Sequence, residues 1–280
     1  MNIKNLVYSY DKYEKTKRNV LDSVSLDIND GDFLSIVGRT GSGKTTLAMH
    51  MNGLLKPISG DIQVDGKSIY DKGYDLVKLR YKVSIVFQYP EYQLFAEDVL
   101  SDVCFGAINK GLSKDEAIKK AKEVLELLNF DMDKLNISPF IVSGGEKRKV
   151  ALAGVFVMEP EILILDEPQA GLDQLTKLAL YKILQDMNAK GKTIVIITHN
   201  LEDAIEYSNK ICVMDEGKVL KVGSPKEVFS DENVIEKAHI YVPENILISR
   251  YMHEKYKDYD IDKIKRKEII EEIIRVKSIQ

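Results

Sequence analysis

Phe33-Leu34-Ser35-Ile36-Val37-Gly38-Arg39-Thr40-Gly41-Ser42-Gly43-Lys44-Thr45 runs from an almost wholly apolar stretch into a glycine-rich turn. Residues 44–53 then read as a helix, so the segment is a strand, a loop and a helix in succession. Residues 38–45 fit G-x-x-x-x-G-K-[ST], and the motif sits between a strand and a helix as its mechanism requires. Glycines allow the backbone to wrap closely, so that several N–H groups point inward at phosphate oxygens. The helix N-terminus adds partial positive charge. In this reading Lys44 reaches the β- and γ-phosphates and the Thr45 hydroxyl ligates Mg²⁺. Chance supplies such a match in about one random chain in a hundred of this length.

Around this unit, short β-rich runs occupy Lys4 to Tyr10, Ser23 to Ile28, Asp61 to Val64 and Val83 to Phe87, each bounded by turn residues. Residues 96–156 are helical in pattern, with Ala117, Ala121, Val124, Leu125, Leu127 and Leu128 recurring at helical spacing. Ser113 stands three residues before Glu116, a capping-box spacing. Beyond it, strands at Ile162 to Leu165 and Thr193 to Thr198 alternate with helices at Leu175 to Ala189 and Leu201 to Tyr207. Ile211 to Met214 and Lys218 to Lys221 read as a hairpin. Continuous apolar strands alternating with helices imply an α/β fold, its mainly parallel sheet covered on both faces. From about Pro243 the chain changes character. Ile269, Ile270, Ile273 and Ile274 predict an apolar stripe on a terminal helix.

Composition excludes several classes. The chain has 280 residues and a net charge of −4, a poor match to a general nucleic-acid binder. A chain of this size buries about three quarters of its unfolded surface, enough for a core without disulfide staples. No apolar run approaches the roughly 18 residues that span a bilayer. The polar residues 1–15 match neither a secretory signal nor a transit peptide. Two cysteines, Cys104 and Cys212, are too few for a disulfide framework and read as free thiols.

Other groups complete the candidate site. Ile162 to Leu165 ends in Asp166 and Glu167, and acids at the end of a parallel strand lie beside the crevice. Asp166 is placed to hold Mg²⁺, and Glu167 to polarise an attacking water. Ser143-Gly144-Gly145-Glu146 precedes a helix and reads either as a second anion-binding N-terminus or as a plain loop. His199 follows a buried strand, where a capping role competes with a catalytic one. Gln88 follows another, and a turn role competes there with contact to Mg²⁺ or water. His50, His239 and His253 lack metal-ligand spacing.

In this order, Gly38 to Thr45, Gln88, Ser143 to Glu146, Asp166-Glu167, Ala170-Gly171-Leu172-Asp173 and His199 resemble the ATP-binding cassette (ABC) ATPases over about residues 2–230. The resemblance implies a P-loop NTPase cassette with an N-terminal antiparallel β subdomain, an inserted helical subdomain at about 96–156, and a C-terminal extension over 231–280. It implies ATP and Mg²⁺ as cofactors and a head-to-tail dimer. In that dimer ATP on one P-loop, Thr46 included, is closed over by Ser143, Gly144, Gly145 and Glu146 of the other cassette. Glu167 is then the catalytic carboxylate and His199 the switch contacting the γ-phosphate. Gln88 senses Mg²⁺ and the membrane partner, and Asp173 couples the two sites. Tyr10 resembles the aromatic that stacks on adenine, with Tyr8 and Tyr13 as competitors. Val142 and Glu146 depart from the commoner Leu and Gln, and Glu146 is expected to weaken γ-phosphate capture if it faces the nucleotide.

Phe87-Gln88-Tyr89-Pro90-Glu91-Tyr92-Gln93-Leu94-Phe95 resembles the corresponding loop of energy-coupling factor (ECF) transporter ATPases and their cobalt-uptake relatives, most closely the second of the two ATPase types. That implies the motor of an importer for a vitamin or metal-ion micronutrient, held on the cytoplasmic face of the membrane. Its implied partners are a second, related ATPase (or another copy of this chain), a transmembrane coupling subunit and a substrate-binding membrane subunit, with no nucleic acid. Tyr89, Tyr92, Leu94 and Phe95 are expected to line the groove for the coupling subunit, and the extension to hold the two ATPases together. Soluble ABC proteins of the ribosome or DNA, and P-loop kinases, are the competing readings. Thr45 and Asp166 stand only 121 positions apart, with no sustained heptads, which leaves no space for a long inserted coiled coil.

Overall fold

A computed structural model describes residues 1–10 and 19–278. Tyr13 and most of the polar insert that begins at Asp11 lie outside the described residues. In chain order the first elements are β1 (Asn2–Tyr8), β2 (Leu21–Asp27), β3 (Phe33–Val37), α1 (Lys44–Met51), β4 (Ser59–Val64) and β5 (Lys67–Ser68). Next come α2 (Leu76–Lys82), β6 (Val83–Val86), α3 (Val99–Lys110), α4 (Lys114–Leu127), α5 (Gly144–Phe156), β7 (Ile162–Asp166), α6 (Gln174–Ala189) and β8 (Thr193–Ile197). The chain closes with α7 (Leu201–Tyr207), β9 (Lys210–Asp215), β10 (Lys218–Gly223), α8 (Pro225–Phe229), α9 (Glu232–Ala238), α10 (Glu244–Lys255) and α11 (Arg266–Ser278).

These elements form two compact units. The first comprises residues 1–47, 56–70 and 197–280. It holds an antiparallel sheet ordered β2-β1-β4-β5. β1 turns Ile3 and Leu6 into the core, and its register shifts around Asn5, whose φ is +46°. A second set of strands runs β10-β9-β3, with β9 parallel to β3 and antiparallel to β10. β3 is buried at every position, its apolar run broken only by Ser35, whose hydroxyl shares a hydrogen bond with Ser208 Oγ at 2.6 Å. The tail joins this core. Val234, Ile235, Ala238, Ile246 and Ile264 pack in one cluster with Val37, Leu201, Ile205 and Val213.

The second unit comprises residues 48–55 and 71–196. Its strands run β8-β7-β6, with β6 parallel to β7, and β7 and β8 are wholly buried. The helices of residues 96–156 belong to it. α4 buries Ala117, Ala121 and Leu125 at i, i+4 and i+8 and leaves Lys and Glu in water. Ser113 and Glu116 form the expected capping box, which satisfies two backbone N–H groups at the helix start. Among the described residues no helix is long and apolar enough to cross a membrane.

Three apolar residues depart from expectation. Leu127 is exposed, because α4 packs through Leu125 and Leu128 on either side of it. The terminal stripe is split: Ile269 and Val276 face inward and Ile273 packs against Tyr259 and Met252, while Ile270 and Ile274 face water. α11 carries apolar residues around more of its circumference than a single contact face can cover.

Candidate nucleotide-binding site

The P-loop follows β3 without a break. Gly38 adopts φ +145°, and a Cβ there would stand 2.0 Å from the Met214 carbonyl oxygen, so only glycine lets the loop turn against β9. Ser42 N–H donates to the Arg39 carbonyl at 3.1 Å, and Gly217 N–H in the β9–β10 hairpin donates to the Ser42 carbonyl at 3.2 Å. The hairpin thereby braces the loop from behind. Lys44 Nζ curls back over the loop and donates to the carbonyls of Gly38 (2.8 Å) and Arg39 (2.7 Å). Its ammonium thus lies against the turn of the loop. A ring of N–H groups, a helix N-terminus and one lysine is the donor set a polyphosphate needs. A cleft of about 450 Å³ beside it is lined by Val20, Arg39, Thr40, Gly41, Ser42 and Glu216. Thr45 is exposed and Thr46 buried at the start of α1.

Tyr10 is 57% exposed, packs edge-on against Tyr8 at 5.0 Å, and its hydroxyl shares a hydrogen bond with Thr46 Oγ1 at 3.2 Å. The ring therefore stands in solvent beside the P-loop helix, where a flat base has access to it. Tyr8 is half-buried.

His199 also belongs to this unit. Thr198 N–H donates to the Ile36 carbonyl at 3.2 Å, which sets His199 level with the end of β3. Asn200 caps α7 by accepting from Asp203 N–H at 2.8 Å. His199 is exposed and lines a cleft of about 490 Å³ with Gly38, Arg39, Thr40, His239 and Tyr241. Sequence reasoning missed the last two. Their proximity depends on α9 ending at His239, which caps the helix in left-handed conformation at φ +48°. The Tyr241 hydroxyl donates to Glu202 at 2.6 Å, and burial together with that carboxylate pushes its pKa up to about 12.

In the second unit β7 ends at Asp166, which is buried. Glu167 is only 8% exposed and adopts φ +49°, a conformation costly for a residue with a side chain. Such strain collects where a side chain must be aimed. Gln169 Nε2 donates to Glu167 Oε2 at 2.9 Å and fixes the carboxylate. Sequence reasoning passed over Gln169, although its place two residues beyond the acid was a usable signal.

Ser143 caps α5. Its hydroxyl donates to Glu146 Oε2 at 2.8 Å and accepts from Glu146 N–H at 3.3 Å. Gly144 is exposed and Gly145 half-buried. Glu146 Oε1 accepts from Lys134 Nζ at 2.6 Å, and this bond, followed by that from Ser143 N–H, lowers its pKa to about 2. Asp173 caps α6 by accepting from Thr176 N–H at 2.9 Å and Thr176 Oγ1 at 2.7 Å, which lowers its pKa.

Gln88 and Tyr89 are exposed in the loop after β6. Tyr92 is 84% exposed and Phe95 more than half exposed, but Leu94 is buried. Leu94 packs inward with Pro90 as an apolar anchor of the turn, so it does not line a groove as expected. Phe95 meets Phe105 of α3 edge-on at 4.7 Å.

The family model "ABC transporter" matches residues 21–170. The energy-coupling factor transporter ATP-binding protein EcfA2 of Acetivibrio thermocellus is 37% identical over 271 residues, covering 96% of this chain and 96% of that protein. This chain belongs to the energy-coupling factor branch of the ABC ATPases. Among solved structures, cbiO1 from Clostridium perfringens, part of the ABC transporter complex cbiONQ, is 38% identical with a TM-score of 0.71, covering 91% of this chain and 97% of that one. The cassette MJ0796, solved as a dimer bound to ADP and Pi in a post-hydrolysis state, is 29% identical with a TM-score of 0.72, covering 80% of this chain and 98% of that one. The fold is therefore the ABC cassette, and ABC ATPases bind and hydrolyse ATP.

Proposed function

We propose that this chain is the ATP-hydrolysing subunit of an energy-coupling factor importer and works as one half of an ATPase pair beneath separate membrane subunits. The observation that carries the reading is the similarity over nearly the whole chain, tail included, to proteins of that one branch.

Lys44 and the N–H groups of Gly38 to Thr45 hold the β- and γ-phosphates, with Thr46 completing the helix start. Tyr10 stacks on the base. Thr45, Asp166 and Gln88 are the residues that would hold Mg²⁺, which when bound neutralises developing phosphate charge. Glu167, oriented by Gln169, polarises the attacking water, and His199 contacts the γ-phosphate. Ser143, Gly144 and Gly145 of the paired ATPase close over that phosphate, while Asp173 communicates across the interface. Hydrolysis removes the charge that bridges the two halves, so the closed state loses its differential stabilisation and opens.

The membrane partner docks on the aromatic surface of Tyr89, Tyr92 and Phe95 beside Gln88, an instance of helix-in-groove recognition. Ile270 and Ile274, exposed on α11, suit the extension to contact with the second ATPase. The assembly sits on the cytoplasmic face. The transported substrate, a vitamin or metal-ion micronutrient, is selected by a membrane subunit.

The experiment is steady-state Mg-ATP hydrolysis by the full chain and its Glu167→Gln variant. The reading expects turnover in the first and ATP binding without turnover in the second. Full turnover in the variant would remove Glu167 from its role.

A further inference from the structure

Arg148 lies one turn into α5, and its side chain is almost wholly enclosed at 5% exposure. Arginine is seldom buried this far without specific partners. Here the partners come from two other segments. Arg148 Nη2 donates to the Gln88 carbonyl. Arg148 Nε lies 3.6 Å from Glu91 Oε2, and neither atom has a hydrogen-bond partner elsewhere. The guanidinium carbon stands 6.0 Å from the centre of the Tyr89 ring. Arg148 Nη1 lies beside Gly171, where φ is +71° and an added Cβ would stand 3.0 Å away.

One guanidinium thus touches the Gln88 loop at three residues and the segment between β7 and α6 at a fourth, from the helix that Ser143 heads. A planar fork can serve a carbonyl and a carboxylate at once, whereas a lysine ammonium cannot span both. Breaking a buried pair on one side leaves the other charge uncompensated, so the arrangement resists partial loosening.

We propose that Arg148 is a positioning residue for hydrolysis: it locks the Gln88 loop to the Ser143 helix, so that Gln88 faces this chain's nucleotide and Ser143 that of the paired ATPase from one rigid piece. This rests on the reading that Gln88 and the Ser143 turn act on nucleotide. Arg148 does not touch ATP and belongs to neither motif as such. Its contribution is to the geometry in which water is activated, not to the affinity of the P-loop.

The test uses the full chain with Arg148→Lys, Glu91→Gln, the double variant and Gln88→Ala, each measured for ATP affinity, KM and kcat, with thermal unfolding recorded alongside. Arg148→Lys is expected to lower kcat at least tenfold while ATP affinity stays within twofold. Glu91→Gln, which leaves the guanidinium in place, is expected to lower kcat several-fold in a folded protein. The double variant should be no slower than the slower single, as for groups acting through one contact. Wild-type kcat in both single variants, or losses that multiply in the double, would overturn the proposal. Gln88→Ala separates the two levels. If it retains full kcat, the assignment of Gln88 fails. If it is impaired while Arg148→Lys and Glu91→Gln are not, the Arg148 proposal alone fails.

Discussion

Lys134 Nζ donates to one oxygen of the Glu146 carboxylate at 2.6 Å, while the other oxygen closes a capping box with Ser143. Both oxygens are therefore engaged within the subunit. The negative charge expected to disturb γ-phosphate capture is balanced by an ammonium beside it. The Ser143 hydroxyl is also engaged, so donating it to a phosphate means exchanging one carboxylate partner for another anion.

Glu146→Gln should accordingly change ATP affinity and kcat by less than about threefold. A Gln preserves the capping box and loses only the ion pair, a small loss for a partly exposed contact. The folded-state pKa of Glu146 is depressed from 4.5 to about 2. Its stabilisation is therefore fully present above pH 4.5 and lost as pH falls through about 2. Urea unfolding of the two proteins should show a gap at pH 7 that closes between those values. A gap that widened in acid would contradict the ion pair.

Gln169→Ala removes the donor that holds Glu167. The expected result is a fall in kcat of about tenfold, the scale set by losing one oriented contact to a general base, with unchanged ATP affinity. Equal losses in both would point to a folding defect.

Lys44→Ala removes the ammonium that lies against the P-loop turn. ATP affinity itself should fall, by about a hundredfold if a charge-assisted contact worth up to about 3 kcal/mol is lost. Calorimetric titration with ATP reads this directly, and unchanged affinity would displace the phosphates from this loop.

Ile274→Asp places a charge on an exposed apolar position of α11. Thermal stability should be almost unaffected, because the side chain is not part of the core. Association with the second ATPase should weaken at least tenfold in sedimentation, if that face is covered in the pair.

The P-loop strand, the buried strands β7 and β8, and the helix cap at Ser113 were legible because each depends on local chemistry: a fixed spacing, a continuous apolar run, a side chain bonding its own helix. What was not legible depends on docking. Leu94 turns inward while its neighbours Phe95 and Tyr92 turn out, a choice made by the space beneath the loop. Ile270 and Ile274 carry the same side chain as Ile269 yet face water, because the contact face of α11 is narrower than its apolar arc. Tyr241 and His239 reach the cleft of His199 only through the fold of the tail. Arg148 reads in sequence as one more charge in a Lys- and Arg-rich stretch, and only its enclosure distinguishes it.

If this ATPase works beneath membrane subunits, tagging the chain in its native host, solubilising the membranes gently and identifying what co-purifies should recover a second cassette ATPase together with small integral membrane proteins. Recovery of the chain from the soluble fraction, with ATPase activity but no membrane protein attached, would contradict that reading.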